Sequence, residues 1–197
     1  MAWLLKNGDI GMHVPKTGGT WLGDTLRRLG LLQTDTRLPH TPLMEFVYPI
    51  EQAAFKFAFV RHPLTWYESW WRWSMDITWR NQLQVPILPA CAFEPNADFN
   101  AFVSKCVEIA PGMVSAMYEL FVGPTDHPIE FIGRQEQAME DLKQLLTLRG
   151  LSFDASILET SGKQRVSGYP APMWDIDLKD RVAKAEQQAM VRFGYSA

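Results

Sequence analysis

Residues 13–21 read HVPKTGGTW, with a lysine two positions ahead of a glycine pair and threonines at 17 and 20. A run of this kind suits an anion. Glycines let a ligand approach the backbone, and the free N–H groups of a starting helix point at it. Lys16 adds a charge, and Thr17 and Thr20 add hydroxyls. The usual phosphate-loop pattern carries its lysine after the second glycine. Here the lysine precedes both, so an ordinary tight turn with a surface lysine is the competing reading. Residues 59–63, FVRHP, supply Arg61, and Ser69 follows eight residues later. A guanidinium and a helix-borne hydroxyl can bind a second phosphate, although an arginine alone is more often a salt-bridge residue.

These residues need a sheet edge to bring them together. Residues 9–14 (DIGMHV) read as a short strand stopped by Pro15, and 20–29 as a helix with Trp21, Leu22, Thr25, Leu26 and Leu29 at helical spacing. Residues 55–60 (FKFAFV) read as a buried central strand ended by Pro63, and 64–80 as a tryptophan-rich helix. Further helices are expected over 98–108, 111–121 and 135–148, with a strand at 128–132 (PIEFI). Residues 154–168 read as irregular, and Leu178, Val182, Ala185 and Ala189 mark one terminal helix running into Phe193. Alternating strands and helices predict an α/β fold: a single domain over 1–197, with a mostly parallel central sheet flanked by helices and a P-loop-like phosphate-binding loop. In such sheets ligands sit beyond the carboxyl ends of the strands, which selects the loops after residues 14 and 60.

Composition narrows the partners. At 197 residues the chain is about one and a third times the soft per-domain length. Nineteen basic against 22 acidic residues leave a net charge of −3, which argues against coating nucleic acid or an anionic membrane. A local cationic cluster around a small phosphorylated ligand stays compatible. Cys91 and Cys106 make no disulfide framework or zinc spacing and read as reduced, partly buried thiols. No metal is expected. The N-terminal run MAWLL is too short for a signal-peptide core, and no segment reaches the length of a membrane span. A cytoplasmic protein is expected.

HVPKTGGTW followed by FVRHPLTWYES resembles the two cofactor signatures of the sulfotransferases that use 3′-phosphoadenosine 5′-phosphosulfate (PAPS). FIGRQEQAMEDL (131–142) and the terminal RFGY (192–195) continue the likeness across nearly the whole chain. The resemblance implies that Lys16 contacts the 5′-phosphate and the bridging oxygen. It implies backbone and hydroxyl donors from Thr17, Gly18, Gly19 and Thr20, and a 3′-phosphate clamp from Arg61 and Ser69. Trp21 falls where an aromatic ring stacks on adenine, with a core position on the first helix as the equal alternative. A late basic contact falls in SGKQRVSG (161–168), where Lys163 or Arg165 could serve, or where the charges are merely exposed. His40, in LPHTPL, matches the segment that carries a catalytic base, and Glu45 and Glu68 are reserves. His13 is expected to fix the loop, His62 to pack beside Arg61, and His127 to sit on an exposed loop.

The implied activity moves a sulfuryl group from PAPS to a hydroxyl or amine, leaving adenosine 3′,5′-bisphosphate. The acceptor is unassigned. Trp66, Trp70, Trp73 and Ile77 make a core-facing stripe, while Tyr67 and Trp71 on the adjoining face are candidates for a pocket wall suited to an aromatic or alicyclic alcohol or a sugar. Residues 84–97 are either a lid or a connector. Two alternatives remain: a catalytically inactive nucleotide-binding protein of the same fold, and a small-molecule kinase with an atypical phosphate loop. The missing Walker pattern speaks against the kinase.

Overall fold

The structure, a computed structural model, describes residues 2–34, 55–75, 88–94, 97–124, 129–161 and 169–196. Its first turn is built on Asn7 and Gly8. β1 (Ala2–Leu5) and β2 (Ile10–Met12) pair antiparallel across it. Gly8 takes φ 87, a left-handed conformation that carries no Cβ penalty in glycine. The Leu5 N–H donates to the Asp9 carbonyl at 2.9 Å and the Gly8 N–H to the Leu5 carbonyl at 3.0 Å. This is a three-residue hairpin loop, and Asn-Gly is its sequence signal.

That hairpin changes the sheet. β3 (Leu32–Thr34), β4 (Lys56–Val60) and β5 (Phe131–Arg134) complete five strands in the order β3-β1-β2-β4-β5. The pairs β2–β4 and β4–β5 are parallel, whereas β1 runs antiparallel to both β2 and β3. The sheet is therefore mixed rather than mostly parallel, because a tight turn can only return the chain antiparallel. Its parallel part carries the expected architecture. Met12 pairs with Ala58, Ala58 with Ile132 and Val60 with Arg134, so β2, β4 and β5 run out toward one edge.

Eight α-helices occur among the described residues: α1 (Gly19–Arg28), α2 (Pro63–Ser74), α3 (Phe99–Ile109), α4 (Met113–Val122), α5 (Ala138–Leu148), α6 (Ala155–Thr160), α7 (Ile176–Ala185) and α8 (Gln187–Arg192). None is long and apolar enough to cross a membrane. The chain groups into two compact units, 1–61 with 120–166 and 62–119 with 167–197.

In the first unit, Trp3, Phe57 and Phe59 on one sheet face pack with Leu22 and Leu26 of α1 and the expected leucine stripe of α5. Gly11 permits this: a Cβ there would lie 2.4 Å from the Phe57 ring and 2.8 Å from that of Trp3. The expectation of irregular structure over 154–168 fails at α6. Asp154 caps it by accepting from the Ser156 N–H at 2.9 Å, and Leu158 is buried beneath. Asp9 is buried at the start of β2 and accepts two hydrogen bonds from Arg149, at 2.8 and 3.0 Å, so this buried charge is paired.

In the second unit, Trp66 and Trp70 stack at 5.2 Å with rings 5° apart, as the core stripe requires. Trp73 is half-buried, and Ile77 lies outside the described residues. The pocket-wall expectation is corrected. Tyr67 is fully buried and Trp71 nearly so, against Phe99. Tyr67 turns inward because its hydroxyl donates to Glu186 at 2.9 Å. Glu186 is itself 0% exposed and also accepts from the Val114 and Ser115 N–H groups at 3.1 and 2.8 Å and from the Ser115 hydroxyl at 2.7 Å. A carboxylate at the N-terminus of α4 is well placed for the helix dipole. The expected single terminal helix breaks into α7 and α8 at this residue, a break its apolar period runs straight through. Cys91 and Cys106 are free and buried more deeply than expected. Burial and the neighbouring Cys91 push the Cys106 thiol far up, which makes it inert.

Two stability outcomes follow from these contacts. Gly11→Ala should destabilise by about 1–3 kcal/mol in urea titrations, although alanine is ordinarily tolerated in a strand; wild-type stability would contradict the ring contacts. Burial, followed by the Glu186 carboxylate, holds the Tyr67 phenol well above its usual range. The unfolded phenol ionises near pH ~10 while the folded one stays neutral, so stability falls as pH rises past that point. Tyr67→Phe should lose about 1.5–3 kcal/mol at neutral pH and flatten the alkaline slope.

Candidate functional site

β2 ends in His13, Val14 and Pro15, and the chain then tightens. Lys16 has φ 62, making it the one non-glycine residue with a left-handed backbone among those described. Such strain costs on the order of 1–3 kcal/mol and concentrates at ligand sites. The Thr17 hydroxyl donates to the Val14 carbonyl at 2.9 Å, which bends the loop. That bond takes the one proton Thr17 could have donated to a ligand, so its role is corrected from hydroxyl donor to loop brace.

Gly18 follows with φ 82 and ψ 16 and stands as the N-cap of α1 without a side chain to cap it. The first N–H groups of a helix have no acceptor within it, so those of Gly19, Thr20 and Trp21 are oriented out of the N-terminus with the positive end of the helix dipole. Lys16 and Gly18 both take left-handed backbone, a conformation found where successive loop amides turn toward an anion. Beneath this loop lies His13, whose ring is 5.0 Å from that of Trp3. A Cβ on Gly19 would meet His13 Nε2 at 1.8 Å. His13 thus packs directly beneath the loop, and Gly19 admits it.

Arg61, directly after β4, donates from Nη1 to the Lys16 carbonyl at 3.4 Å. This contact joins two motifs 45 residues apart. The edge also holds residues to which the sequence analysis gave no role. Arg134 ends β5 in register with Val60, a strand-terminal arginine next to the one at 61. Its N–H donates to Asp141 Oδ2 at 2.5 Å. Gln135 follows, with its Cγ 3.3 Å from where a Cβ on Gly18 would lie. The missed signal is the arginine that closes FIGR as Arg61 closes FAFVR.

The remaining candidates are placed as follows. Trp21 is half-buried against the first unit's core and donates from Nε1 to the Ser161 carbonyl at 2.9 Å, so its packing role is the one observed. Ser69 is half-buried on α2 in the second unit. Glu68 accepts from Trp174 Nε1 at 2.9 Å and from Arg72 at 3.3 Å, contacts that a general base would have to give up. His62 caps α2, its Nδ1 accepting from the Leu64 N–H at 3.2 Å and its Nε2 bonded to the Ser196 carbonyl at 2.8 Å. With both nitrogens engaged, His62 is structural. His40, Glu45, His127, Lys163 and Arg165 lie outside the described residues, as do 84–87 and 95–96 of the stretch 84–97.

No family model, curated protein or solved structure matches the chain. The site therefore stands on its own geometry: a glycine-opened amide cradle, a strained lysine within it, and arginines from two neighbouring strands. Its chemistry is that of a phosphate or sulfate group, and it can neutralise and hydrogen-bond several anionic oxygens.

Left-handed strain at Lys16 predicts a trade-off. Lys16→Gly should keep or raise stability by up to about 1 kcal/mol while losing phosphate binding. Thermal unfolding paired with calorimetry checks it, and a clear loss of stability would show that the backbone there is unstrained.

Proposed function

We propose that the chain is a sulfotransferase that uses 3′-phosphoadenosine 5′-phosphosulfate as donor and sulfates a hydroxyl or amine. The observation that carries this reading is the Arg61–Lys16 contact. It joins at one sheet edge the two motifs whose order and residues resemble the 5′- and 3′-phosphate signatures. The residues fit such a donor. A ligand with a phosphosulfate at one end and a phosphate a ribose away needs an amide cradle and a separate cation, and the loop and Arg61 supply both.

When bound, the donor supplies a sulfuryl group activated by its bond to a phosphate. The chain's own work is then positioning and charge stabilisation. The amides of residues 17–20 bind the 5′ end, and Lys16 offsets the charge that grows on the phosphate side as the sulfur–oxygen bond breaks. Arg61 recognises the 3′-phosphate, a role for which the resemblance also names Ser69. His40 takes the proton that the acceptor oxygen loses, in preference to Glu68, whose carboxylate is already engaged by Trp174 and Arg72.

Calorimetry with adenosine 3′,5′-bisphosphate tests the assignment. Binding of the bisphosphate with no response to ATP is expected; ATP binding without it would sink the sulfotransferase reading in favour of a kinase. Arg61→Ala should weaken the bisphosphate more than adenosine 5′-phosphate, and equal losses would remove Arg61 from the 3′ site. In transfer assays with labelled donor, Lys16→Ala should abolish turnover. His40→Ala should lower it about 10²–10⁴-fold at nearly unchanged bisphosphate affinity. Bisphosphate binding with no transfer to any of a panel of phenols, alicyclic alcohols, sugars and amines would mark an inactive nucleotide-binding protein.

A further inference from the structure

We propose that Gln135 is a third anchor of the anion loop, its side-chain amide donating a hydrogen bond to an oxygen of the 5′-phosphosulfate group; this rests on the sulfotransferase reading above. Three observations place it there. Its Cγ lies 3.3 Å from the position a Cβ on Gly18 would occupy, which sets it against the left-handed residue that caps α1. The amide is the next group along the side chain, within reach of the mouth of the cradle. Second, the turn that carries it is tied down by hydrogen bonds. The nearly buried Asp141 of α5 accepts from the Arg134 N–H at 2.5 Å and from Gln137 Nε2 at 3.0 Å, bracketing Gln135 on both sides. Third, β5 stands in parallel register beside β4, Val60 opposite Arg134, so the residue after β5 leaves the sheet at the edge where Arg61 leaves it.

A neutral amide suits this position chemically. Lys16 and Arg61 already supply charge, whereas an amide adds direction, donating to one oxygen in a fixed geometry. Asp141 is a positioning residue in this scheme, acting through the turn and not touching the ligand. Because Gln135 contacts a group present in both ground and transition states, its loss should raise the donor KM more than it lowers kcat.

An isosteric change separates this role from packing over Gly18. Gln135→Glu keeps the shape and puts a carboxylate against the bound anion. Binding of adenosine 3′,5′-bisphosphate and of inorganic pyrophosphate would be measured by calorimetry on wild type, Gln135→Glu and Gln135→Met, with unfolding curves to confirm that each variant folds. Gln135→Glu should weaken both ligands about tenfold or more at low salt, with part of the loss recovered at high salt. Gln135→Met, which fills the same space without a donor, should lose about three- to tenfold. Wild-type affinity in folded Gln135→Glu would overturn the proposal. The parent reading fails separately: a wild type that binds pyrophosphate but not the bisphosphate defeats the sulfotransferase assignment, while the pyrophosphate ratio between wild type and Gln135→Glu still decides Gln135. A wild type that binds neither defeats both.

Discussion

How closely the start of α1 can approach the end of β2 governs the whole carboxyl edge of the first unit's sheet. The His13 ring occupies the space a side chain at Gly19 would need, 1.8 Å from the hypothetical Cβ. With any other residue at 19, ring or helix would have to move, and interiors packed to crystal-like density leave little room for that. The helix start, with its unpaired N–H groups, would then no longer sit above the strand end. Gly11 repeats the arrangement one layer below, where the Phe57 and Trp3 rings close over a bare backbone. Aromatic bulk set against missing Cβ atoms is the packing rule of this unit, and the glycine-opened loop at the start of α1 is its consequence.

Charge follows from the same arrangement. The chain carries three more acidic than basic residues, yet parallel register delivers Arg61 and Arg134 to neighbouring strand ends, and the loop folds Lys16 back until its carbonyl meets Arg61. Two buried carboxylates are paired within the fold: Asp9 by Arg149, and Glu186 by two amides and two hydroxyls.

Much of this was legible before any coordinates. The strand–glycine–helix order at 9–29, the buried strand ending at Arg61, the tryptophan stripe and the leucines of α5 all follow from periodicity and turn chemistry. What escaped was whatever depended on a distant partner. Asn7-Gly8 did announce a hairpin, but its first strand is only four residues long and looks like an apolar N-terminus. Tyr67 reads as a pocket residue until Glu186, 119 positions away, draws its hydroxyl inward. The break at Glu186 cannot be heard in an apolar rhythm that continues through it. Thr17 looks like a ligand donor until the Val14 carbonyl takes its proton.

The sequence by itself determined the chemistry available: a lysine ahead of paired glycines, an arginine at a strand end, and hydroxyls at useful spacing. Local rules suffice for that, because a glycine's tolerance of left-handed backbone and a helix's unpaired N–H groups belong to a few consecutive residues. Only the tertiary structure decided which of these groups share a site. Sheet register set Arg134 beside Arg61, the Asp141-braced turn brought Gln135 against Gly18, and the core claimed Trp21 and Tyr67. Register and packing depend on side chains brought together from distant parts of the chain, which no local pattern contains.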